Sequence, residues 1–360
     1  MACSEALDIK PNKSVAVDAN YKTGQISEKK IDLIDKYFTL LFESRVFNGN
    51  VLIAQHGKVV FEKPYGYSDI RTKDSLKIDD VFQIGSVSKQ FTAVAILQLY
   101  ARGLLDLNDT IQKYIPNFPY RGITIDALLC HRSGLPNYIY FCDALPIVKS
   151  TPLSNRSVVQ CLSDSMPPAY YPPNKRFDYS NTGYIVLAYI VEKLSGQSFA
   201  NYMKSNVFEP LGMKHTYVFN FNQPYYPNNL VKGYEYGKVE ANPDFLDGVV
   251  GDKGIYTTAF DLFLWDNGLY TGKILNVDTL ELAFKPHGKK ISAPKNYGYG
   301  WRIYYLPDSS RVLYHAGWWH GYQSLLVRYE KDTTTLVVLK NKRSKQIIDQ
   351  NRILEILSSD

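Results

Sequence analysis

Short strand-like runs at both ends of the chain enclose a long helical middle, and this order constrains the fold more than any other feature. Two apolar runs at residues 51–54 and 59–62 flank His56-Gly57, a pattern typical of a β-hairpin. β-branched and aromatic runs return later, at residues 299–306, 312–315, 323–329 and 334–339. The pattern predicts an α+β fold, in which both chain ends build one antiparallel sheet flanked by helices and the middle forms a mostly helical lobe.

Helical periodicity and its absence divide the chain further. Residues 31–43 and 349–357 carry apolar stripes at helical spacing, whereas residues 1–30 are polar and lack a clear period. We therefore predict an N-terminal tether over residues 1–30 and one domain over residues 31–360. The expected parts of that domain are a sheet lobe, formed by residues 31–86 and about 250–360, and a helical lobe, formed by residues of about 87–249.

The charge balance gives no sign of a nucleic-acid-binding protein. Lys and Arg number 41 against 35 Asp and Glu, and the net charge of +6 is scattered. We interpret the basic cluster at residues 340–345 as a solvated strand end. The sequence has no apolar run long enough to span a membrane. It also has no metal-ligand spacing and no dinucleotide-binding loop, so we expect neither a metal nor a cofactor.

Four cysteines bear on the compartment in which the protein acts. Cys130, Cys142 and Cys161 show no C-x-x-C spacing, and we favour free thiols over a bridge between Cys130 and Cys142. Cys3 stands directly before the polar tether. This position predicts an exported protein, periplasmic or anchored to a membrane through a lipid on Cys3, whose signal peptide is not in this chain. A cytoplasmic protein with a frayed N-terminus is the alternative.

Ser86 and Lys89 form the most specific chemical signal. They stand three residues apart, where a strand-like run at residues 81–84 gives way to a helical pattern. Positions i and i+3 lie on one face of a helix, so the two side chains are expected to meet. A lysine in that place can take or assist the proton of the serine and so make it a nucleophile. A serine N-cap followed by a solvated lysine would show the same spacing.

Tyr179 and Asn181 belong to a second motif, Tyr-Ser-Asn, which precedes a helical pattern. A tyrosine hydroxyl beside a lysine ammonium loses its proton more readily, and it can then act as a general base and afterwards as an acid. The Asn181 amide offers a donor and an acceptor to a substrate amide. An Asn/Ser turn that caps a helix is the structural alternative.

His315, Gly317 and Trp318 lie in a third motif, on a strand that enters a glycine-rich turn. Glycine lets a ligand approach the backbone closely. The backbone N–H of Trp318 is expected to join that of Ser86 as a two-donor oxyanion hole. A surface hairpin with aromatic decoration would also fit this motif.

The three motifs together resemble the pattern of serine β-lactamases and penicillin-binding proteins. The sequence is similar to the family of class C β-lactamases, D-alanyl-D-alanine carboxypeptidases, D-aminopeptidases and related esterases. The likeness runs from about residue 31 to about residue 357. Further stretches that look like this family lie at residues 82–86, 128–135, 210–213 and 254–262.

The resemblance implies a β-lactamase-like fold and a serine hydrolase that acts through an acyl-enzyme. The expected substrate is a small molecule or peptide, with cell-wall fragments as candidates, and the bond is an ester, a β-lactam or a peptide amide. The implied catalytic residues are Ser86, Lys89 and Tyr179. The implied substrate-binding residues are Asn181, His315, Gly317 and Trp318.

The chain departs from the family at the third motif, because His315-Ala316-Gly317 replaces Lys-Thr-Gly. Ala316 lacks the hydroxyl that commonly meets a substrate carboxylate, and a neutral His315 attracts a carboxylate less than lysine does. We therefore expect weak β-lactamase and weak strict carboxypeptidase activity. We also predict an aromatic cleft lined by Trp318, Trp319, Tyr138, Tyr140 and Phe141.

Two other interpretations stay open or are set aside at this point. A penicillin-recognising sensor or binding protein, which is acylated with little turnover, is the alternative to a hydrolase. A purely structural scaffold disagrees with three intact motifs. His131 follows a helical pattern, and we expect it to cap that helix or to meet a backbone carbonyl rather than to act in catalysis.

Overall fold

A computed structural model describes residues 26–144, 151–221, 225–287, 295–346 and 348–358. Its helices are α1 (Glu28–Glu43), α2 (Ser88–Ala101), α3 (Ile125–Leu129), α4 (Tyr138–Ala144), α5 (Asn155–Ser165), α6 (Asn181–Ser195), α7 (Phe199–Met203), α8 (Glu209–Leu211), α9 (Ala259–Tyr270), α10 (Val277–Glu281) and α11 (Gln350–Ser358). Its strands are β1 (Gly49–Gln55), β2 (Lys58–Tyr65), β3 (Tyr67–Asp69), β4 (Asp74–Ser75), β5 (Phe82–Gln83), β6 (Tyr217–Val218), β7 (Ile255–Thr257), β8 (Lys295–Tyr297), β9 (Arg302–Tyr305), β10 (Arg311–Trp319), β11 (Tyr322–Tyr329) and β12 (Thr334–Lys340).

Strands from both ends of the chain form one seven-stranded sheet in the order β2-β1-β12-β11-β10-β9-β8. Every pairing in it is antiparallel, and the two ends meet where Gly49 of β1 lies opposite Lys340 of β12. The predicted hairpin at residues 51–62 is β1 and β2. The α+β fold class predicted from the sequence, an antiparallel sheet flanked by helices, is confirmed.

Alternating side chains place a separate apolar core on each face of this sheet. On one face, Leu336 and Val338 of β12 pack with buried residues of α1 and α11. On the other face, Val337 and Leu339 belong to the larger core that includes α2, α6 and α9. Because strand residues alternate between faces, consecutive residues of β12 serve different layers. The middle strands are therefore held between helices, which gives β10 a firm support.

The N-terminal helix begins earlier than the periodicity indicates. The side chain of Ser27 accepts a hydrogen bond from the backbone N–H of Lys30, and α1 starts at Glu28. The residues at 28–30 therefore belong to α1 and not to the predicted tether. The reason is that the first turn of a capped helix is polar and lacks the apolar stripe. Cys3 and residues 1–25 of the tether lie outside the described residues.

Three other sequence expectations can be compared with the structure. Cys130 and Cys142 are both buried free thiols. Lys340 is only 4% exposed, so a solvated strand end is wrong for the first residue of the basic cluster. The side chain lies on a strand flanked by β1 and β11, where charge does not ensure exposure. Among the described helices, none is long and apolar enough to cross a membrane.

Candidate active site

Ser86 lies in a 3₁₀ turn, Gly85–Val87, between β5 and α2. The backbone N–H of Ile84 donates to the Ile255 carbonyl at 3.0 Å and so fixes the end of the strand that leads into the turn. Gly85 has a φ of +48°, and a Cβ at this position would lie 2.7 Å from the backbone nitrogen of Trp318. Glycine is needed here because β10 approaches the turn so closely.

Lys89 is fully buried and holds its ammonium group among three oxygens. Its Nζ lies 3.0 Å from Ser86 Oγ, 2.9 Å from Asn181 Oδ1 and 2.8 Å from the Asp252 carbonyl oxygen. An ammonium group can donate to all three. A neutral amine can donate to Asn181 and Asp252 and accept from the Ser86 hydroxyl through its lone pair. The geometry therefore suits both charge states through which a proton-transferring lysine passes.

The second half of β10 forms a wall beside Ser86. β9 pairs with β10 only as far as Tyr314, so residues 315–319 have β11 as their paired strand on one side. A Cβ at Gly317 would lie 2.9 Å from the backbone nitrogen of Ser86. The hydroxyl of Ser324, on β11, donates to the Ile84 carbonyl at 2.7 Å and holds the wall against the turn. The backbone nitrogens of Ser86 and Trp318 thus border the same close contact.

Tyr179 lies two residues before α6, next to its N-cap Ser180, and packs among charged and aromatic groups. Its ring centroid lies 5.1 Å from Lys89 Nζ and 5.6 Å from the Arg302 guanidinium carbon. Its ring also packs 4.2 Å from that of His131. The structure brings all seven residues predicted for the site together around one cleft: Ser86, Tyr179, Asn181, His315, Gly317 and Trp318 line it, and Lys89 lies beneath Ser86.

Two buried histidines are joined through Tyr297, a residue that sequence reasoning missed. Tyr297 Oη lies 3.1 Å from Nε2 of His131 and 3.1 Å from Nε2 of His315. At one end, the backbone N–H of Ser180 donates to His131 Nδ1 at 3.2 Å. At the other end, His315 Nδ1 lies 2.8 Å from the Ala316 carbonyl oxygen. The chain of contacts connects the turn that carries Tyr179 with the wall formed by β10.

The charge state of these histidines fixes the direction of each hydrogen bond. Burial, and then the charge of Lys89, holds the pKa of both rings well below the usual value. Neutral His131 accepts at Nδ1, so its Nε2–H donates to Tyr297. Neutral His315 donates from Nδ1 to the Ala316 carbonyl, so its Nε2 accepts the Tyr297 hydroxyl proton. His315 therefore has no N–H left for a substrate carboxylate. The backbone of His131 caps the C-terminus of α3, as expected: its φ is +56°, its N–H donates to the Leu128 carbonyl at 3.3 Å, and the next N–H, of Arg132, donates to the Ala127 carbonyl at 2.8 Å.

The buried ion pair of Lys253 and Asp252, whose Nζ and Oδ1 atoms lie 3.7 Å apart, supports the opposite wall of the cleft. Lys253 Nζ donates to Tyr138 Oη at 2.9 Å and to two backbone carbonyl oxygens at 2.8 Å each. The Tyr138 hydroxyl donates to Asp252 Oδ2 at 2.9 Å. Lys253 Nζ also lies 4.8 Å from the ring of Trp319, whose Nε1–H donates to Asp247 Oδ1 at 2.7 Å. This network holds the indole of Trp319 at the cleft.

The cleft has a volume of about 430 Å³ and combines aromatic and charged side chains. The predicted aromatic lining is right for Trp318 and Trp319. Tyr138 is buried behind the surface, Tyr140 is 69% exposed, and the lining from α4 is Ile139. The cleft also has a charged lining that the sequence did not predict, formed by Arg302, Asp252 and Lys253. The sequence signal that could have indicated Asp252 and Lys253 is their position between two glycines, Gly251 and Gly254.

The fold and the cluster around Ser86 define the class of the protein, that of penicillin-recognising serine hydrolases, which act on amide, ester or β-lactam bonds. The chain belongs to the β-lactamase family, whose sequence model matches residues 34–357. The predicted family and the general function of a serine hydrolase are thereby confirmed.

Relatives span almost the whole chain. The chain is 34% identical to penicillin-binding protein 4* of Bacillus subtilis, over 90% of this chain and 75% of the relative. It is similar in structure to an octameric penicillin-binding protein homologue from Pyrococcus abyssi, with a TM-score of 0.74 and 26% identity over 86% of this chain and 73% of the other. A D-amino acid amidase from Ochrobactrum anthropi shares the fold, with a TM-score of 0.76 and 24% identity over 90% of this chain and 98% of the other.

Proposed function

We propose that this protein hydrolyses amides or esters of short, peptide-like substrates that carry a carboxylate next to the scissile bond. The observation that carries the proposal is Arg302. It lines the cleft beside Tyr179, and among the described residues no carboxylate forms an ion pair with its guanidinium. Arginine binds a carboxylate through two parallel hydrogen bonds. Arg302 thus supplies the anchor that the sequence analysis looked for at His315 and Ala316.

Ser86 is the nucleophile in this proposal. Its Oγ attacks the substrate carbonyl carbon, and its proton passes to the pair of Lys89 and Tyr179. The backbone N–H groups of Ser86 and Trp318 stabilise the oxyanion. The C–N or C–O bond then breaks, the leaving amine or alcohol takes the proton, and an ester of Ser86 remains.

Deacylation uses the same groups with water. Tyr179 takes a proton from the water molecule that attacks the acyl carbon, and Ser86 leaves with that proton. The neighbouring ammonium group of Lys89 stabilises negative charge on the phenolic oxygen during this step. Asn181 accepts from Lys89 through Oδ1, which leaves its NH₂ group to donate to a substrate carbonyl.

The test compares two dipeptide esters that differ only in the group next to the scissile bond, which is a free carboxylate in one and a carboxamide in the other. The wild-type protein is expected to prefer the carboxylate. Arg302→Gln should lower kcat/KM for the carboxylate substrate by about 10-fold to 100-fold, because a hydrogen bond to a charged group is worth about 1.5–3 kcal/mol. The carboxamide should be hydrolysed at nearly the wild-type rate, and Arg102→Gln, a change at the C-cap of α2, should alter the rate of neither substrate.

Equal losses on both substrates would show that Arg302 supports the site rather than the carboxylate. A lasting adduct on Ser86 without turnover of either substrate would instead favour the sensor. Both results are read by mass spectrometry of the labelled protein beside the rate assay. Ser86→Ala should abolish the label and the turnover together.

We also propose that the protein acts outside the cytoplasm, anchored through a lipid on Cys3. The name of its Bacillus subtilis relative, a penicillin-binding protein, supports an envelope location. The test expresses the full-length protein with labelled palmitate and separates membrane from soluble fractions. The label should follow the membrane fraction and disappear in Cys3→Ala. A soluble, unlabelled wild-type protein would contradict this proposal.

A further inference from the structure

A second groove, of about 160 Å³, adjoins the catalytic cleft on the outer face of the sheet. Ala316, Gly317 and Gln323 line both cavities, so they form the border between them. From this border the groove crosses β11 and β12 to Lys340, which pairs in register with Gln323. Neighbouring strands lie about 4.8 Å apart, so β12 is on the order of 10 Å from β10. A substrate held at Ser86 can therefore continue over the edge of β10 into this groove.

Lys340 is a buried cation with too few partners. Its side chain is 4% exposed, and its Nζ donates to Ser344 Oγ at 2.6 Å. Among the described residues this hydroxyl is its one acceptor, and none of them supplies a carboxylate within ion-pair distance. An ammonium group has three protons to donate, and burying it without acceptors is costly. Burial, and then the charge of Lys342, lowers the pKa of Lys340 to about 8.

The charges around Lys340 make the deficit larger. Lys342 stands two residues further along the chain, and exposed Lys345 lines the groove itself. Arg343, in the same segment, pairs with Glu235 at 2.8 Å and lies 4.1 Å from the ring of Trp318. The guanidinium of Arg343 is thus paired and lies over Trp318, whereas Lys340 keeps its unused donors. An anion is the chemistry that would satisfy these donors.

We propose that this groove is a second substrate subsite, in which Lys340 and the Ser344 hydroxyl bind a carboxylate or phosphate group of the substrate remote from the scissile bond. The proposal rests on the hydrolytic function proposed above, since the substrate must be held at Ser86. An extended peptide rises about 3.3 Å per residue, so the remote anion is about three residues from the edge of β10. It is distinct from the carboxylate next to the scissile bond that Arg302 binds.

The first arm of the test uses chromogenic monoesters of dicarboxylic acids of increasing chain length, each beside its neutral methyl-capped counterpart. In the wild-type protein the ratio of kcat/KM, anionic over neutral, should rise with chain length to a maximum. Lys340→Met should lower that maximum by about 10-fold or more, because it removes the charged donor. It should leave the neutral esters unchanged. Lys342→Met removes a charge from the same segment and should keep the maximum.

The second arm separates a substrate anion from a free one and uses inorganic phosphate as the probe. Phosphate is titrated into wild-type protein and Lys340→Met by calorimetry. Loss of the ester maximum in the variant supports the substrate subsite. Phosphate binding that depends on Lys340, without any ester maximum, overturns the substrate subsite and leaves a site for a free ion. No effect of Lys340→Met in either arm overturns the anion site altogether.

Failure of the proposed function looks different from failure of the subsite. Neutral esters that no variant hydrolyses would contradict the hydrolase, whatever Lys340 does. Labelling of Ser86 by a neutral fluorophosphonate and the circular dichroism of Lys340→Met check that the variant is folded. A folded, labelled variant that keeps the full ester maximum overturns the subsite while the hydrolase stands.

Discussion

Two buried lysines, Lys89 and Lys340, lie on opposite faces of the sheet, one on each side of β10. They differ in how many hydrogen-bond acceptors surround their ammonium groups. Lys89, on the side of Ser86, has three oxygen partners that come from the 3₁₀ turn before α2, from the start of α6 and from the turn before β7. Lys340, on the outer side, has one partner, four residues along the chain. A buried ammonium with all its acceptors belongs to an arrangement that is complete within the protein. One with a single acceptor indicates that a ligand supplies the others.

Lys253 provides an internal reference for this comparison. It is 3% exposed and also has three oxygen partners, and it lies beside the carboxylate of Asp252. Of the three lysines that are buried among the described residues, two therefore have three oxygen acceptors each for their ammonium groups, as is expected of a buried charge. Lys340 is the exception, and for this reason the comparison can be tested at these three positions.

The largest difference is expected in turnover of a neutral ester. Lys89→Met should reduce kcat by about 10²-fold to 10⁴-fold, the range for loss of a positioned proton-transfer group. Tyr179→Phe should cause a similar loss, and the double variant should lose little more, because residues that act as one unit are not additive. Lys340→Met should keep wild-type kcat on the same ester.

Steady-state rates of the four variants and of the wild type measure this difference. If the double variant lost the product of the two single effects, Lys89 and Tyr179 would act independently. If Lys340→Met lost turnover of the neutral ester as well, the two sides of β10 would not differ in the way described.

The next difference is expected in stability. Lys253→Met should lower the free energy of unfolding by about 3–5 kcal/mol, because it leaves the Asp252 carboxylate and two backbone carbonyl groups buried without their partner. Lys340→Met should be neutral or should stabilise the protein, because it removes an incompletely paired charge and leaves behind only a hydroxyl. Urea denaturation of both variants beside the wild type measures the two changes. If Lys340→Met lowered the free energy of unfolding by several kcal/mol, the ammonium group of Lys340 would be fully paired within the protein.

These contrasts also show which parts of the site a sequence can predict. Ser86 and Lys89 were found because the spacing of i and i+3 on a helix is a local rule. The third partner of Lys89 is the Asp252 carbonyl, and the partner shared by the two histidines is Tyr297. Both arrive through the tertiary fold, so no local pattern points to them. The strand that contains Arg302 was predicted. The alternation of side chains along a strand shows which residues share a face of the sheet, but it does not show that Arg302 lines the cleft.

The sheet itself was predictable because strand patterns and turns are local, whereas exposure was not. Lys340 ends a run of β-branched residues and leucines, and its charge suggested a solvated position. In the structure β1 and β11 flank it on both sides. Burial of a charged residue at a strand end depends on which strands pair there, and pairing between the two chain ends is a property of the whole fold.

The histidines beside Lys89 should make stability depend on pH in the acid range. Both stay neutral in the folded protein, whereas in the unfolded chain they take up protons near pH 6.5. Below that pH the unfolded chain binds more protons, so the free energy of unfolding falls as the pH falls. The slope should reach about 2.7 kcal/mol per pH unit for two such groups.

Urea denaturation between pH 7 and pH 5 measures this slope. His315→Asn should reduce it by about half, and exposed His215→Asn should not change it. A wild-type slope no steeper than that of His315→Asn would mean that His315 is protonated in the folded protein. In that case His315 would add a positive charge next to Lys89 and Arg302.

The smallest effect on stability is expected from Lys340 in the alkaline pH range. An ion pair would raise the pKa of this lysine, whereas burial without a carboxylate lowers it. The pKa of Lys340 is lowered to about 8, whereas a lysine in the unfolded chain has a pKa of about 10.4. Between these values the unfolded chain binds the proton and the folded protein does not, so this residue makes the protein more stable as the pH rises. The contribution is about 1.4 kcal/mol per pH unit for one group. Cysteines and tyrosines of the unfolded chain also titrate in this range, but they do so equally in wild type and Lys340→Met. The unfolding free energy of the wild type minus that of Lys340→Met should therefore rise from pH 8 to pH 9.5.

Saturating phosphate, or an anionic ester analogue, should flatten that rise, because a bound anion keeps Lys340 protonated. A difference that stays constant with pH would show that Lys340 is paired after all, and the two sides of β10 would then be alike.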